Sequence, residues 1–320
     1  MIWKRICRED FDMLLNRTIR MRGRARPVQT RIRERAGQSI RLGRRRYIMK
    51  NWKMAAALMA ACSMMLAGTV AAAADETESF DFGSVETVSE GKLIVGTEAG
   101  FAPYEYLVGD TVEGVDMDIA QAIADRLGVE LEVQNMDFDG ALLAVQQGKV
   151  DIVAAGVSVS EEREQVMDFS VKYVDSKDVV VVSADDPAVE ESTADALAEK
   201  TVGVQQGNIA DLWVTDNTEA GAVQRYTKFV QAAQDLANGK IDCIVMDEAP
   251  AVELVESSGG KLAILEGDAL FEDSYAIAIK KGNEAMKGAA DAVINELIES
   301  GEMDRIIASH SGTQAETEAE

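Results

Sequence analysis

From Lys92 onward the chain alternates short β-branched runs with stretches of helical period, and that alternation leaves it few folds to choose from. Lys92–Thr97 (KLIVGT) reads as a strand. Val115–Leu127 sets Ile119, Ala122, Ile123 and Leu127 on one helical face and stops at Gly128, a glycine C-cap. Glu130–Val133 follows as a strand, Asp139–Gln147 as a helix capped by Asp139, and Val150–Ala154 as a buried strand; Ser160 caps another helix. Near the end, Asn283–Ser300 carries Met286, Ala290, Val293, Leu297 and Ile298 as an apolar stripe, and Met303–Ile307 continues helically. Strands that alternate with helices predict an α/β fold with mostly parallel sheets flanked by helices.

The pattern then repeats in outline. GKVDIVAAG (148–156) and GKIDCIVMD (239–247) share Gly-Lys-apolar-Asp followed by an apolar strand, and VGTEAG (95–100) is echoed by VGVQQG (202–207). One such echo is ordinary for αβ units. Two in the same order favour a pair of related lobes. Lys177–Ser183 (KDVVVVS) and Ser274–Ile279 (SYAIAI) read as the crossings, which puts 91–180 and 272–312 in lobe 1, 181–271 in lobe 2, and hinges near 178–183 and 270–275.

Charge divides the chain just as sharply. Residues 1–53 hold 17 Lys/Arg against 4 Asp/Glu, 54–74 hold no charge, and the rest holds 15 against 52. The uncharged stretch MAAALMAACSMMLAGTVAAAA follows Lys50 and Lys53 and ends in alanines, the three parts of a secretory signal. We therefore expect a signal peptide over 49–74 and a start at Met49, with the Arg-rich 1–48 no part of the folded protein. A lipid anchor at Cys62 ranks below simple cleavage, because Met-Ala-Ala is a poor lipobox. Residues 75–90 read as a flexible acidic leader and 313–320 as an acidic tail.

What remains is strongly acidic, which argues against binding nucleic acid. Cys243 is the sole cysteine after Ala74, so the protein depends on its core and not on a disulfide. The single histidine, His310, excludes His-based metal sites and Ser-His-Asp catalysis. No metal, no cofactor and a monomer are expected.

Ligands of open α/β sheets bind beyond the carboxyl ends of the strands. Four loops qualify: 98–101, 156–163, 207–209 and 247–248. Arg163 breaks a local rule, because it lies in the first turn of a helix, where the macrodipole disfavours a cation. Either Glu161, Glu162 and Glu164 offset that penalty, or a ligand carboxylate does. Asp247 ends an apolar strand and needs a partner: helix capping is one role, a ligand ammonium another. Phe101 and Phe138 follow strand ends and suit either a ligand wall or the core.

In order, GTEAGFAPYEY, GVDMDIAQAIADRLG, MDFDGALLAVQQGKVDIVAAGVSVSEER, DFSVKY, VGVQQG, GKIDCIVMDEA and SYAIAIKKGN resemble the successive blocks of the polar amino-acid-binding solute-binding proteins (family 3), which serve ATP-binding-cassette importers. The resemblance spans about residues 90–310. It implies a two-lobed Venus-flytrap fold, a free amino-acid ligand and a membrane permease as partner. It also implies roles. Arg163 would grip the ligand α-carboxylate with Ser158 and the backbone N–H groups of the Gly156–Ser158 turn. Asp247 would take the α-ammonium, Asn208 and Ile209 would offer backbone N–H groups, Phe101 and Phe138 would sandwich the side chain, and Glu98 would meet its tip. Where relatives often carry Thr-Thr or Thr-Gly this chain has Asn208-Ile209, position 205 is Gln, and Glu98 replaces a commoner Asp.

The expected function is capture of a polar or basic amino acid by lobe closure, outside the cytoplasm. Glu98 hints at a cationic or amide side chain, such as that of Arg, Lys, His or Gln. The rival is an enzyme on the same fold, a periplasmic cyclohexadienyl or arogenate dehydratase with Glu98 or Glu248 as general acid.

Overall fold

The computed structural model describes residues 80–312. The Arg-rich extension, the signal segment with Cys62, the first part of the leader and the tail all lie outside the described residues.

Period-two burial builds the first sheet. In β1 (Lys92–Thr97) Leu93 and Val95 turn to one face and Ile94 to the other, so both faces are covered. After a hairpin of β2 (Tyr106–Val108) and β3 (Thr111–Glu113), α1 (Val115–Leu127) carries the chain to β4 (Glu130–Asn135). β4 pairs parallel to β1, Lys92 opposite Glu130 and Thr97 opposite Asn135. α2 (Phe138–Gln147) then leads to β5 (Ile152–Val153), parallel to β1 on its other side. The one-turn α3 (Glu161–Glu164) precedes β6 (Met167–Phe169).

At β7 (Val174–Ser183) the chain joins a second sheet. Val179 and Val181 pack on one face of it and Val180 and Val182 on the other. Its remaining parts are β8 (Thr201–Gln205), α4 (Ile209–Asn217), β9 (Ala222–Tyr226), α5 (Phe229–Ala237), β10 (Cys243–Asp247), α6 (Glu248–Ser257), β11 (Leu262–Ile264) and β12 (Phe271–Tyr275). The chain returns to the first sheet with β13 (Ala278–Lys280), and α7 (Glu284–Glu299) and α8 (Glu302–His310) complete that lobe. The strand orders are β4-β1-β5-β13-β6 and β11-β7-β10-β8-β9, with β12 on β7.

The α/β, two-lobed expectation holds, but the sheets are mixed, not mostly parallel. β13 runs antiparallel to β5 and β6, and β7 antiparallel to β10, β11 and β12. The reason lies in the crossings: a strand returning from the other lobe enters its sheet from the opposite end. For the same reason the single strand expected over Ser274–Ile279 divides. Tyr275 ends β12 in one sheet, Ala276 donates its N–H to the Val157 carbonyl at 3.1 Å, and Ala278 begins β13 in the other. The lobe boundary expected at residues 180 and 181 falls inside β7.

Three smaller expectations also shift. The α2 helix starts at Phe138 with Asp137 at its N-cap, while Asp139 makes no capping bond: it accepts from the Gly140 N–H at 2.9 Å and from Gln206 Nε2 at 2.6 Å. The buried strand Val150–Ala154 shrinks to two residues. The leader, expected to be flexible to residue 90, packs from Phe80 onward. Phe80 lies against Gly288, Arg126 stands 5.3 Å over the Phe82 ring, and the Val88 N–H donates to Asp151 at 2.6 Å. Aromatics within an acidic stretch give it an apolar surface to bury, about 1.5–3 kcal/mol for each one fully covered.

Candidate functional site

Ser160 caps α3 as expected, accepting from the Arg163 N–H at 3.3 Å. The Arg163 side chain is buried, and its two partners are backbone carbonyls, not the flanking glutamates. Nη1 donates to Ser158 at 2.6 Å, and Nη2 crosses to lobe 2 to donate to Gly207 at 2.8 Å. Phe138 lies beneath, with the guanidinium carbon 5.6 Å from its ring centre. Burial lowers the Arg163 pKa to about 10, still charged at neutral pH, with the charges of Asp247 and Asp273 opposing the shift. Carbonyls orient the guanidinium without neutralising it.

Across from it, Asp247 is buried at the end of β10. It occupies the N-cap position of α6 but makes no capping bond, so the capping role is not what its side chain does. Instead Oδ1 accepts from the Tyr275 hydroxyl and from Ser176 at 3.2 Å, while Oδ2 has no partner. Burial, and then Asp273, push its pKa up to about 7. Asp178 and Asp273 complete a cluster whose carboxylate oxygens lie within 4.8 Å of one another. Asp178 has neither oxygen partnered, and its pKa stands well above the carboxylate range through burial and those two neighbours. Burial also raises that of Asp273, with Ser158 and the Arg163 charge pulling the other way. Asp247 and Asp273 act on the fixed guanidinium, and a cation placed among the three carboxyls would favour their ionised forms against the burial that raises their pKa values.

Neither Asp178 nor Asp273 stood out in the sequence. Asp178 did leave a trace there, a lone acid heading a run of four valines.

The opposite end is built on Glu98, 1% exposed after β1. Gln205 donates to its Oε2 at 3.0 Å, and Lys228 Nζ stands 3.1 Å from Oε1. Gln205 thus brings no cation, as expected, but Lys228 does, and sequence reasoning passed it over. Phe101 is buried beside Glu98, stacked on Phe229 at 6.0 Å and 26° and tilted against Tyr275 at 6.4 Å. Phe101 and Phe138 fall in different apolar clusters, Phe138 under Arg163 and Phe101 between Phe229 and Tyr275.

Two expected backbone donors are already engaged. The Gly156 N–H donates to Asp116 Oδ2 at 2.9 Å, and the Asn208 N–H to the Gln205 carbonyl at 3.1 Å. Gly156 sits at φ +53°, where a Cβ would come within 2.6 Å of the Phe101 ring, so this turn is shaped to pass under that ring. Asn208 caps α4 with its side chain, accepting from the Ala210 N–H at 2.9 Å, and Ile209 supplies the first helical N–H. Ser158 keeps its hydroxyl at the acid cluster. A groove of about 840 Å³ opens beside these residues, with Tyr104, Ser176, Ile209, Trp213 and Asp273 in its walls. No helix among the described residues is long and apolar enough to cross a membrane.

Known proteins share this sequence pattern and this fold. The sequence profile of the bacterial extracellular solute-binding proteins, family 3, matches residues 93–313. The L-cystine-binding protein TcyJ of Escherichia coli (strain K12) is 31% identical over 224 residues, 69% of this chain and 83% of its own length. An amino-acid ABC-transporter substrate-binding protein, AbpA of Streptococcus pneumoniae, solved bound to L-arginine, superposes with a TM-score of 0.64 at 38% identity, over 69% of this chain and 94% of that one. An ancestral arginine-binding protein solved bound to glutamine gives 0.65 at 33% identity, over 70% and 99%.

Proposed function

Because the chain belongs to the bacterial extracellular solute-binding proteins, family 3, we propose that it captures a free polar or basic amino acid between its lobes and hands it to the membrane permease of an ATP-binding-cassette importer. The observation that carries this reading is the opposed pair at one end of the cleft, a carbonyl-held Arg163 and an Asp247 with a free oxygen. An α-amino acid carries a carboxylate and an ammonium on one carbon, the complement of that pair. Its carboxylate meets the Arg163 fork, with Ser158 and the Ile209 N–H at the start of α4 as further donors. Its ammonium meets Asp247 Oδ2 and stabilises the ionised carboxyl, so binding releases the proton that burial holds there.

Contacts from both lobes to one ligand favour the closed arrangement over an open one, and the β7–β12 ribbon is the hinge between them. The protein works outside the cytoplasm as a monomer, after removal of the segment 49–74. No reaction is required of it. Of the two acids that a dehydratase could use, Glu98 is already held by Gln205 and Lys228 and Glu248 is paired with Lys177 at 2.8 Å, which favours the binding role.

Thermal unfolding of the chain from Asp75 onward, alone and with each of the twenty amino acids, tests this reading. A ligand that binds only the folded state raises Tm by mass action. One or two amino acids should raise it by several degrees, and Arg163→Ala should abolish the shift. No shift with any amino acid contradicts it.

A further inference from the structure

Lys228 breaks the same rule that drew attention to Arg163. It occupies the N-cap of α5, a position that favours Ser, Thr, Asp or Asn and disfavours a cation, and it makes no capping bond. Its side chain leaves the helix end for Glu98, on the other lobe, while remaining 37% exposed. The contact is an ion pair at 3.1 Å, and among the described residues Lys228 is the one group that meets Glu98 Oε1, a buried oxygen with acceptor capacity to spare.

We propose that Lys228 is a specificity-determining residue, which makes the distal end of the cleft select side chains ending in a net-neutral group with both a hydrogen-bond donor and an acceptor. This deepens the amino-acid reading above and rests on it. A bare buried carboxylate would select a cation, but Glu98 and Lys228 together are neutral. Adding a ligand guanidinium or ammonium sets two cations against one acid, and the ligand must displace Lys228 to relieve that. A ligand carboxylate alone meets Glu98 with no donor to satisfy Oε1. A carboxamide, or the second amino-acid head of a disulfide-linked dimer, fits without displacement: its donor bonds Oε1 and its acceptor accepts a hydrogen bond from Lys228 Nζ. The aromatic pair Phe101 and Phe229 lies beside this end, so the stem leading to such a group has apolar surface to cross.

Titration calorimetry of the wild-type chain, Lys228→Met and Lys228→Arg against glutamine, cystine, arginine, lysine and glutamate tests the proposal. Wild type should bind glutamine or cystine about tenfold or more tightly than arginine. Lys228→Met should move the ratio toward arginine and lysine by a further factor of about ten, and Lys228→Arg should retain the wild-type order. Tighter binding of arginine or glutamate than of both neutral ligands by wild type overturns the assignment. So does a ratio unchanged within about twofold in Lys228→Met. Binding of none of the five, with no Tm shift from any other amino acid, is a different failure: it removes the amino-acid reading itself.

Discussion

Arg163 uses one N–H of each Nη on the Ser158 and Gly207 carbonyls, and so its orientation is fixed while its charge and its remaining N–H donors are left for something else. Lysine at this place keeps the charge but not the fork. Arg163→Lys should therefore weaken binding by about a hundredfold or more, read by calorimetry, while Tm of the empty protein changes little beside it. The acids opposite have a signature of their own. Asp247 titrates in the fold at about 7 and Asp116 at about 6, both against an ordinary 3.8. A carboxyl whose folded pKa is raised holds its proton more tightly in the folded state, so its stabilising contribution is full below about pH 4 and declines as pH rises toward 7. The carboxyls held low, Glu132, Asp168 and Asp235, act below that window. The empty protein should lose stability from pH 4 to 7, whereas ligand affinity should rise from pH 6 to 8 as Asp247 becomes free to ionise. Calorimetry in two buffers of different ionisation heat should detect a proton released on binding near pH 7.

At the scale of elements, one helix builds the wall of the site from behind. Asp116, in the first turn of α1, accepts from the Gly156 N–H at 2.9 Å and from the Tyr173 hydroxyl at 2.7 Å, and so ties the binding turn to the start of β7. Asp116→Ala leaves two buried donors without acceptors and should destabilise the protein by about 2–4 kcal/mol, read by denaturant unfolding. Elements with strong local signals were legible in the sequence: Lys92–Thr97 and Val115–Leu127 form to the residue, because alternation, helical period and a glycine stop agree there. The β2–β3 hairpin carries no such pattern and went unread. Ser274–Ile279 looked like one strand because its apolar run is continuous, and only tertiary pairing divides it. In the site, Arg163 and Asp247 could be found because each violates a local expectation. Lys228 violates one too, but its helix start lay in a stretch without a clear motif. Asp178 and Asp273 come together through strand register across β7, which no local pattern encodes.

Across the whole molecule, the two lobes touch at both ends of the cleft: Arg163 to Gly207, Gln206 to Asp139 at 2.6 Å, and Glu98 to Gln205 and Lys228. Arg163 and Asp139 reach across from short helices, α3 and α2, while Glu98, Gln205 and Gly207 lie at strand ends or in the loops that follow. If the β7–β12 ribbon is the hinge, small-angle scattering should show a larger radius of gyration without ligand than with it, and cleft loops should gain hydrogen-exchange protection on binding. The central claim is narrower: Arg163 and Asp247 together read the α-carboxylate and α-ammonium of one amino acid. Its most direct test is calorimetric titration of the best-binding amino acid beside its α-carboxamide and its N-acetyl derivative. Each blocks one of the two groups and leaves the side chain intact. The account predicts that either block weakens binding by about a hundredfold or more, since each leaves a buried charge unpaired. Equal affinity for the free and blocked forms would contradict it.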